Sequence, residues 1–391
     1  GLGMPIPDLS NKPGPGRPGF GPTGDPYEFK FEVTGQVQIK AIPAIAGQTF
    51  TITWQDGTTL VTTGSTTINS PVASGIISIN KEGDNTYCDE FAVNDFNASR
   101  ANVTKVISWG ENPWNNFSTA FYNCTNLTSL SNTTLTTASG CNFYYAFNNC
   151  TSLQTINLTN WDLSQGVNLA YCFPGTTNVE EIDATNSNIN INTASNNIFS
   201  QVGTQTTNGC LFKMSGVNLS NSTNTVFSSM FSNSRIKKDS TFANWVFPSG
   251  GHSNISFRLV VVPMQDTTLD CSGWTTYSST SFPDFQQVNF SYGGYGVAPT
   301  SSTGLKIDIT NLNVSNVSNI TQKFYYSFQD EVIGLSTLGA TNGATSMSIM
   351  FAYDKFHKFT ATNNFSNAFI SSLNLSGSSA FNQTFRSQGN A

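Results

Sequence analysis

The chain has 391 residues, with 17 Lys+Arg against 23 Asp+Glu, a formal net charge of −6. Charged residues make up only 10% of it, well under the roughly 25% of an ordinary soluble domain, and 45 asparagines with long Ser/Thr tracts take their place. Scattered basic residues on an acidic chain exclude an electrostatic footprint for nucleic acid, and 38% hydrophobic content with 30 Phe excludes a disordered polar tract.

No stretch approaches 18 consecutive apolar residues, so no membrane span is expected. A chain of this length exceeds the usual single core and predicts two or more domains or a repeat array.

Residues 1–26 read as an extended arm. The run Lys12-Pro13-Gly14-Pro15-Gly16-Arg17-Pro18-Gly19 continues neither helix nor sheet, because proline lacks a donor and glycine adds chain entropy. The start, Gly1-Leu2-Gly3-Met4-Pro5, lacks the charged and apolar regions of a signal peptide. Either the arm is a tail, or it docks on an assembly through Leu2, Ile6 and Phe20.

Residues 27–104 alternate with period two. Phe29-Lys30-Phe31-Glu32-Val33 and Val37-Gln38-Ile39-Lys40 read as half-buried strands, and Thr51-Ile52-Thr53-Trp54 runs into an Asp56-Gly57 turn. Short strands between turn signals suggest a small β-sandwich. The segment Trp54-Gln55-Asp56-Gly57-Thr58 is similar to the W-x-D-G-T turn of PKD-like, immunoglobulin-type modules, which implies a spacer.

From residue 105 the chain repeats. Phe117, Phe121 and Cys124 stand at i, i+4 and i+7, one face of a short helix, and Phe143, Phe147 and Cys150 repeat that spacing 26 residues on. Phe173 and Phe199 continue the period. Extended segments follow each pair, as in Leu153-x-x-Ile156-x-Leu158. Each unit is expected to be a short helix, a turn and a strand, stacked into a solenoid over 105–391 whose core holds these Phe and Cys residues. The period is lost between about 240 and 305, which reads as degenerate repeats or an insertion.

These units resemble BspA-like leucine-rich repeats, also described as mollicute lipoprotein repeats. The carrying residues are Phe147-x-x-Cys150-x-x-Leu153-x-x-Ile156-x-Leu158, with Asn160-Trp161-Asp162-Leu163-Ser164 and Val167, and Trp109-Gly110 ahead of the array. The resemblance is good over 105–192 and partial over 310–391. It implies a surface or phage-encoded solenoid used for adhesion, without catalytic residues.

Chemistry-bearing groups are sparse. Seven cysteines with no C-x-x-C pair, and only His252 and His357, give no zinc pattern; the cysteines are expected to be small buried hydrophobes. Adjacent acids Asp89/Glu90, Glu180/Glu181 and Asp330/Glu331 point to opposite faces of a strand and do not converge for glycoside cleavage. No phosphate-binding or dinucleotide loop occurs, so no cofactor is expected. The contact candidates are Tyr292 and Tyr295 on a glycine-rich loop, with Trp274 and Tyr277 before it; the alternative is that these rings pack on the solenoid.

The sequence therefore predicts a β-rich chain with short helices: an arm, a β-sandwich and a leucine-rich-repeat solenoid. The leading expectation is a non-enzymatic phage virion protein (fibre, decoration or appendage). It would contact other virion proteins through the arm and a host receptor or glycan through the solenoid, and form a homo-oligomer. The alternatives are a bacterial surface adhesin whose leader has been removed and, third, a glycan-cleaving tail protein.

Overall fold

The computed structural model describes residues 28–80, 86–193, 197–262, 266–288, 304–325, 327, 329–348, 350 and 364–375. Leu2, Ile6 and Phe20 of the arm lie outside them, as do Tyr292 and Tyr295.

The first eight strands are β1 (Phe29–Val33), β2 (Gln38–Pro43), β3 (Phe50–Thr53), β4 (Thr59–Thr62), β5 (Ser65–Asn69), β6 (Gly75–Ile79), β7 (Cys88–Val93) and β8 (Val103–Trp109). An antiparallel sheet runs in the order β4-β3-β6-β1-β8. Alternation on β1 buries Phe29, Phe31 and Val33, and the two Phe rings meet Phe91 of β7 at centroid distances of 4.9 and 5.2 Å. The Asp56-Gly57 turn forms as its residues dictate: the Asp56 carboxylate accepts from the Thr58 N–H and hydroxyl at 2.9 and 2.6 Å, and Gly57 has φ +85°.

The strands β9 (Trp114–Asn116), β10 (Thr137–Asn142), β11 (Thr155–Asn157), β12 (Leu163–Asn168), β13 (Glu181–Asp183), β14 (Ile189–Ile191) and β15 (Leu211–Lys213) follow. They pair in parallel with the coil before and after them, in the orders β14-β12-β10-β9 and β11-β13-β15. The later strands are β16 (Arg235–Lys237), β17 (Val260–Val262), β18 (Thr267–Asp270), β19 (Leu305–Asp308) and β20 (Glu331–Ile333), also parallel. The result is a β-solenoid of about eight turns.

The expected domain boundary at 104/105 falls within paired strands. Residue 104 falls inside β8, which completes the first sheet beside β1, and the second sheet crosses the boundary where Glu90 of β7 pairs with Asn116 of β9. The N-terminal strands thus cover the first coil's open edge, which a solenoid cannot leave bare without exposing apolar side chains and unpaired amides.

The short helices expected at the Phe and Cys positions of the first coils are absent. Phe117–Cys124 consists of two consecutive turns, closed by Ala120 N–H to Phe117 O at 2.9 Å and Cys124 N–H to Phe121 O at 3.0 Å. Thr119 and Asn123 take φ of +57° and +58°; positive φ at the third position alone is a type II turn. Two left-handed residues within eight forbid a helix. They aim alternate amides sideways instead: Phe117, Thr119, Phe121 and Asn123 donate to the carbonyls of Asn142, Tyr144, Ala146 and Asn148 on the next coil, at 2.7 to 3.0 Å. Asparagine tolerates the left-handed region, so the Asn before each Cys (Asn123, Asn149) was the sequence signal for a turn. A helix does form late in the chain, α1 (Asn367–Ser372), where the Ser366 hydroxyl accepts from the Phe369 N–H as an N-cap.

The coils also continue over the described parts of 240–305, namely 240–262, 266–288 and 304–305. Phe121, Phe147, Phe173, Phe199, Phe231, Phe257, Phe285 and Phe324 form one stack with neighbouring centroids 5.3 to 5.8 Å apart and planes within 13°. Phe117, Cys124, Phe143 and Cys150 are buried beside it. The stack tolerates intervals other than 26 residues, such as the 32 between Phe199 and Phe231, because the lateral hydrogen bonds need only the strand and turn segments in register.

Candidate contact surface

The contact expected at Trp274 and Tyr277 is corrected: both side chains are fully buried. Their polar ends are satisfied inside, Trp274 Nε1 donating to Phe242 O at 2.7 Å and the Tyr277 hydroxyl to Ser281 O at 2.6 Å. With no unmet donor, each ring gains more from burial than from solvent. Trp274 stacks on Trp245 at 5.7 Å.

Among the described residues, a cluster of partly exposed tyrosines lies on the first coils. Tyr145 and Tyr171 occupy the position of Thr119 in successive coils, and Tyr144 the position of Ser118. The Tyr145 and Tyr171 rings are parallel to within 14° at 5.1 Å. Tyr144 lies 4.5 Å from Tyr145 and 6.2 Å from Tyr171, nearly perpendicular to the latter, and is 39% exposed. Tyr122 meets Tyr145 edge-on at 5.8 Å, and the Arg100 guanidinium lies 5.1 Å from the Tyr122 centroid, a cation–π contact. Partial burial, with Tyr144 second, raises the Tyr145 phenol above its ordinary value.

The backbone beneath is strained. Tyr145 and Tyr171 have φ of +56° and +55°, unusual for bulky residues and costing on the order of 1–2 kcal/mol each. Lateral bonds hold them there, such as Tyr145 N–H to Ala170 O at 3.3 Å. Asn149 Nδ2 donates to Asn123 Oδ1 at 2.8 Å, and Asn148 Nδ2 to Tyr171 O at 3.3 Å. The 26-residue offset between Tyr145 and Tyr171 was the available signal in the sequence.

Among the described residues, several other chemistry-bearing groups are engaged. The thiols of all seven cysteines are free and buried; burial pushes Cys150 far up and Cys141 to about 12, and Cys150 Sγ donates to Phe121 O at 3.1 Å. Glu90 pairs with Lys40, Glu181 with Lys213 at 3.3 Å and Glu331 with Lys306 at 3.7 Å. His252 sits among Phe247, Tyr277 and Phe227 at 4.6, 4.7 and 5.7 Å. His357 lies outside the described residues.

Among the described residues no group of three or more His, Cys, Asp or Glu is placed to hold a metal ion, and no helix is long and apolar enough to cross a membrane. No protein-family model, curated protein or solved structure matches the chain.

Proposed function

We propose that this chain is a non-enzymatic structural protein of a phage virion whose solenoid presents a recognition surface. The observation that carries this reading is the tyrosine cluster on successive coils, set on strained but laterally bonded backbone. Tyr and Trp on a fixed scaffold give contact area at little entropic cost. In this reading the coils are BspA-like repeats, the N-terminal sheets a PKD/Ig-like spacer, and residues 1–26 the segment that anchors the protein in a homo-oligomeric assembly.

The cysteines favour a virion protein over a secreted bacterial adhesin. Seven free thiols in one chain suit folding in a reducing cytoplasm, where virion proteins assemble, better than folding in an oxidising compartment.

The test is immunogold labelling of purified particles with antibody raised to the full chain. Labelling on the particle exterior supports the reading. Absence of the chain from particles, with labelling of the bacterial envelope instead, overturns it.

A further inference from the structure

The surface around the tyrosine cluster is almost without charge. Between Glu111 and Glu180 the only charged residue is Asp162, and its carboxylate is occupied by the Ser164 N–H and hydroxyl at 3.1 and 2.6 Å. The neighbouring cation Arg100 lies over the Tyr122 ring and donates from Nε to Val93 O at 3.2 Å. Arg100 also lies 4.0 Å from the exposed Asp95 carboxylate, so the two charges beside the cluster are paired with each other, and a charged ligand would lose hydration for little in return. What the face offers is aromatic rings, phenol hydroxyls and the amide and hydroxyl groups of Asn148, Asn123 and Ser118.

That combination selects a ligand with an apolar C–H face and a rim of neutral hydroxyls. The electron-rich face of an aromatic ring attracts the weakly positive C–H groups of such a ligand, and the surrounding amides and phenols match its hydroxyls. Tyr145 and Tyr171 stack on each other at 5.1 Å, close to the ~4.8 Å spacing between adjacent strands, and form one block against which the more exposed Tyr144 packs. A stable protein interface buries about 800 Å² on each partner, more than four clustered rings provide.

We propose that Tyr122, Tyr144, Tyr145 and Tyr171 form a stacking platform for a neutral polysaccharide running along the solenoid axis. Tyr144, the most exposed ring, is the primary contact; Tyr145 and Tyr171 support it through their edge-to-face packing. This rests on the reading of the solenoid as a recognition surface and names what it recognises.

The experiment is affinity electrophoresis of the full chain in native gels containing dextran, mannan, arabinogalactan or a soluble mixed-linkage β-glucan, with alginate as an anionic polymer. At least one neutral polymer should retard the protein. Tyr144→Ala/Tyr171→Ala should weaken that retardation at least tenfold, while Tyr144→Phe, which keeps the ring, should recover most of it. Near-ultraviolet circular dichroism and the thermal midpoint establish that each variant is folded; if the double variant is not, Tyr144→Ala alone carries the test.

Retardation by none of the neutral polymers, by alginate alone, or equally for wild type and the folded alanine variant overturns the proposal. So does a protein receptor whose binding needs these tyrosines when no neutral polymer is bound. Immunogold labelling is independent of every one of these results, so a failed platform and a failed assignment to the virion are told apart.

Discussion

Phe285 and Phe324 are thirty-nine residues apart in the chain, yet their rings stack at 5.3 Å and 13°. Phe147 and Phe173, only twenty-six apart, stack at 5.5 Å and 9°. The interior column is therefore set by the lateral hydrogen-bond ladder and not by loop length, since a coil loop lengthens at small cost once its ends are held.

The column predicts the effect of removing one ring. Phe147 is flanked by Phe121 and Phe173 and fully buried. Phe147→Ala should destabilise the protein by about 3–5 kcal/mol, as deletion of a buried aromatic ring does. Urea denaturation is the measurement; a loss under about 0.5 kcal/mol, the range of surface substitutions, contradicts the stack.

A second prediction concerns backbone at a close approach between coils. Gly209 has φ +77°, and a Cβ there would lie 2.6 Å from the carbonyl carbon of Ile236. Gly209→Ala combines left-handed strain with a clash against backbone that cannot move aside, and should cost about 2 kcal/mol or more. Gly250 has no positive φ, and a Cβ there would meet nothing within 4 Å, so it should accept Ala within about 0.5 kcal/mol. Thermal midpoints of the two variants make the comparison.

His252 predicts a pH dependence. Its Nε2 accepts from the Ser278 N–H at 3.1 Å, joining adjacent coils, and its Nδ1 faces Ser253 O at 2.5 Å. Burial depresses its pKa from 6.5 to about 4. Above pH 6.5 the ring is neutral in both folded and unfolded chains. As pH falls from 6.5 towards 4 only the unfolded chain takes up the proton, so stability declines, by on the order of 3 kcal/mol once both forms are charged. His252→Gln should lose less stability than wild type between about pH 7 and pH 4.5 in urea titrations, and equal losses would contradict this account.

The cysteines predict a reactivity pattern. Each thiol is buried, and burial disfavours the thiolate that reacts. Ellman's reagent at about pH 8 should label the native protein on the timescale of unfolding and label seven thiols promptly in denaturant. Prompt labelling of Cys124 or Cys150 in the native protein would mean that the first coils open locally.

Much of the architecture was legible in residue spacing. The 26-residue recurrence of Phe121, Phe147 and Phe173 signals stacked units because no single unit can bury its rings alone, and the alternation of Phe29, Phe31 and Val33 signals a strand. Spacing could not decide the local conformation of the Phe pairs. An i, i+4 pattern suits a helix, but two turns per coil carry the same spacing and also satisfy the neighbouring coil's carbonyls, a gain that exists only once the coils are stacked. The same limit applied to the surface. Trp274 and Tyr277 look like contact residues in a Gly/Ser-rich segment, and only the tertiary structure supplies the interior carbonyls that take their hydrogen bonds. Conversely, Tyr144, Tyr145 and Tyr171 become one surface only because lateral bonding brings successive coils to the spacing of adjacent strands, a distance that no count of residues along the chain contains.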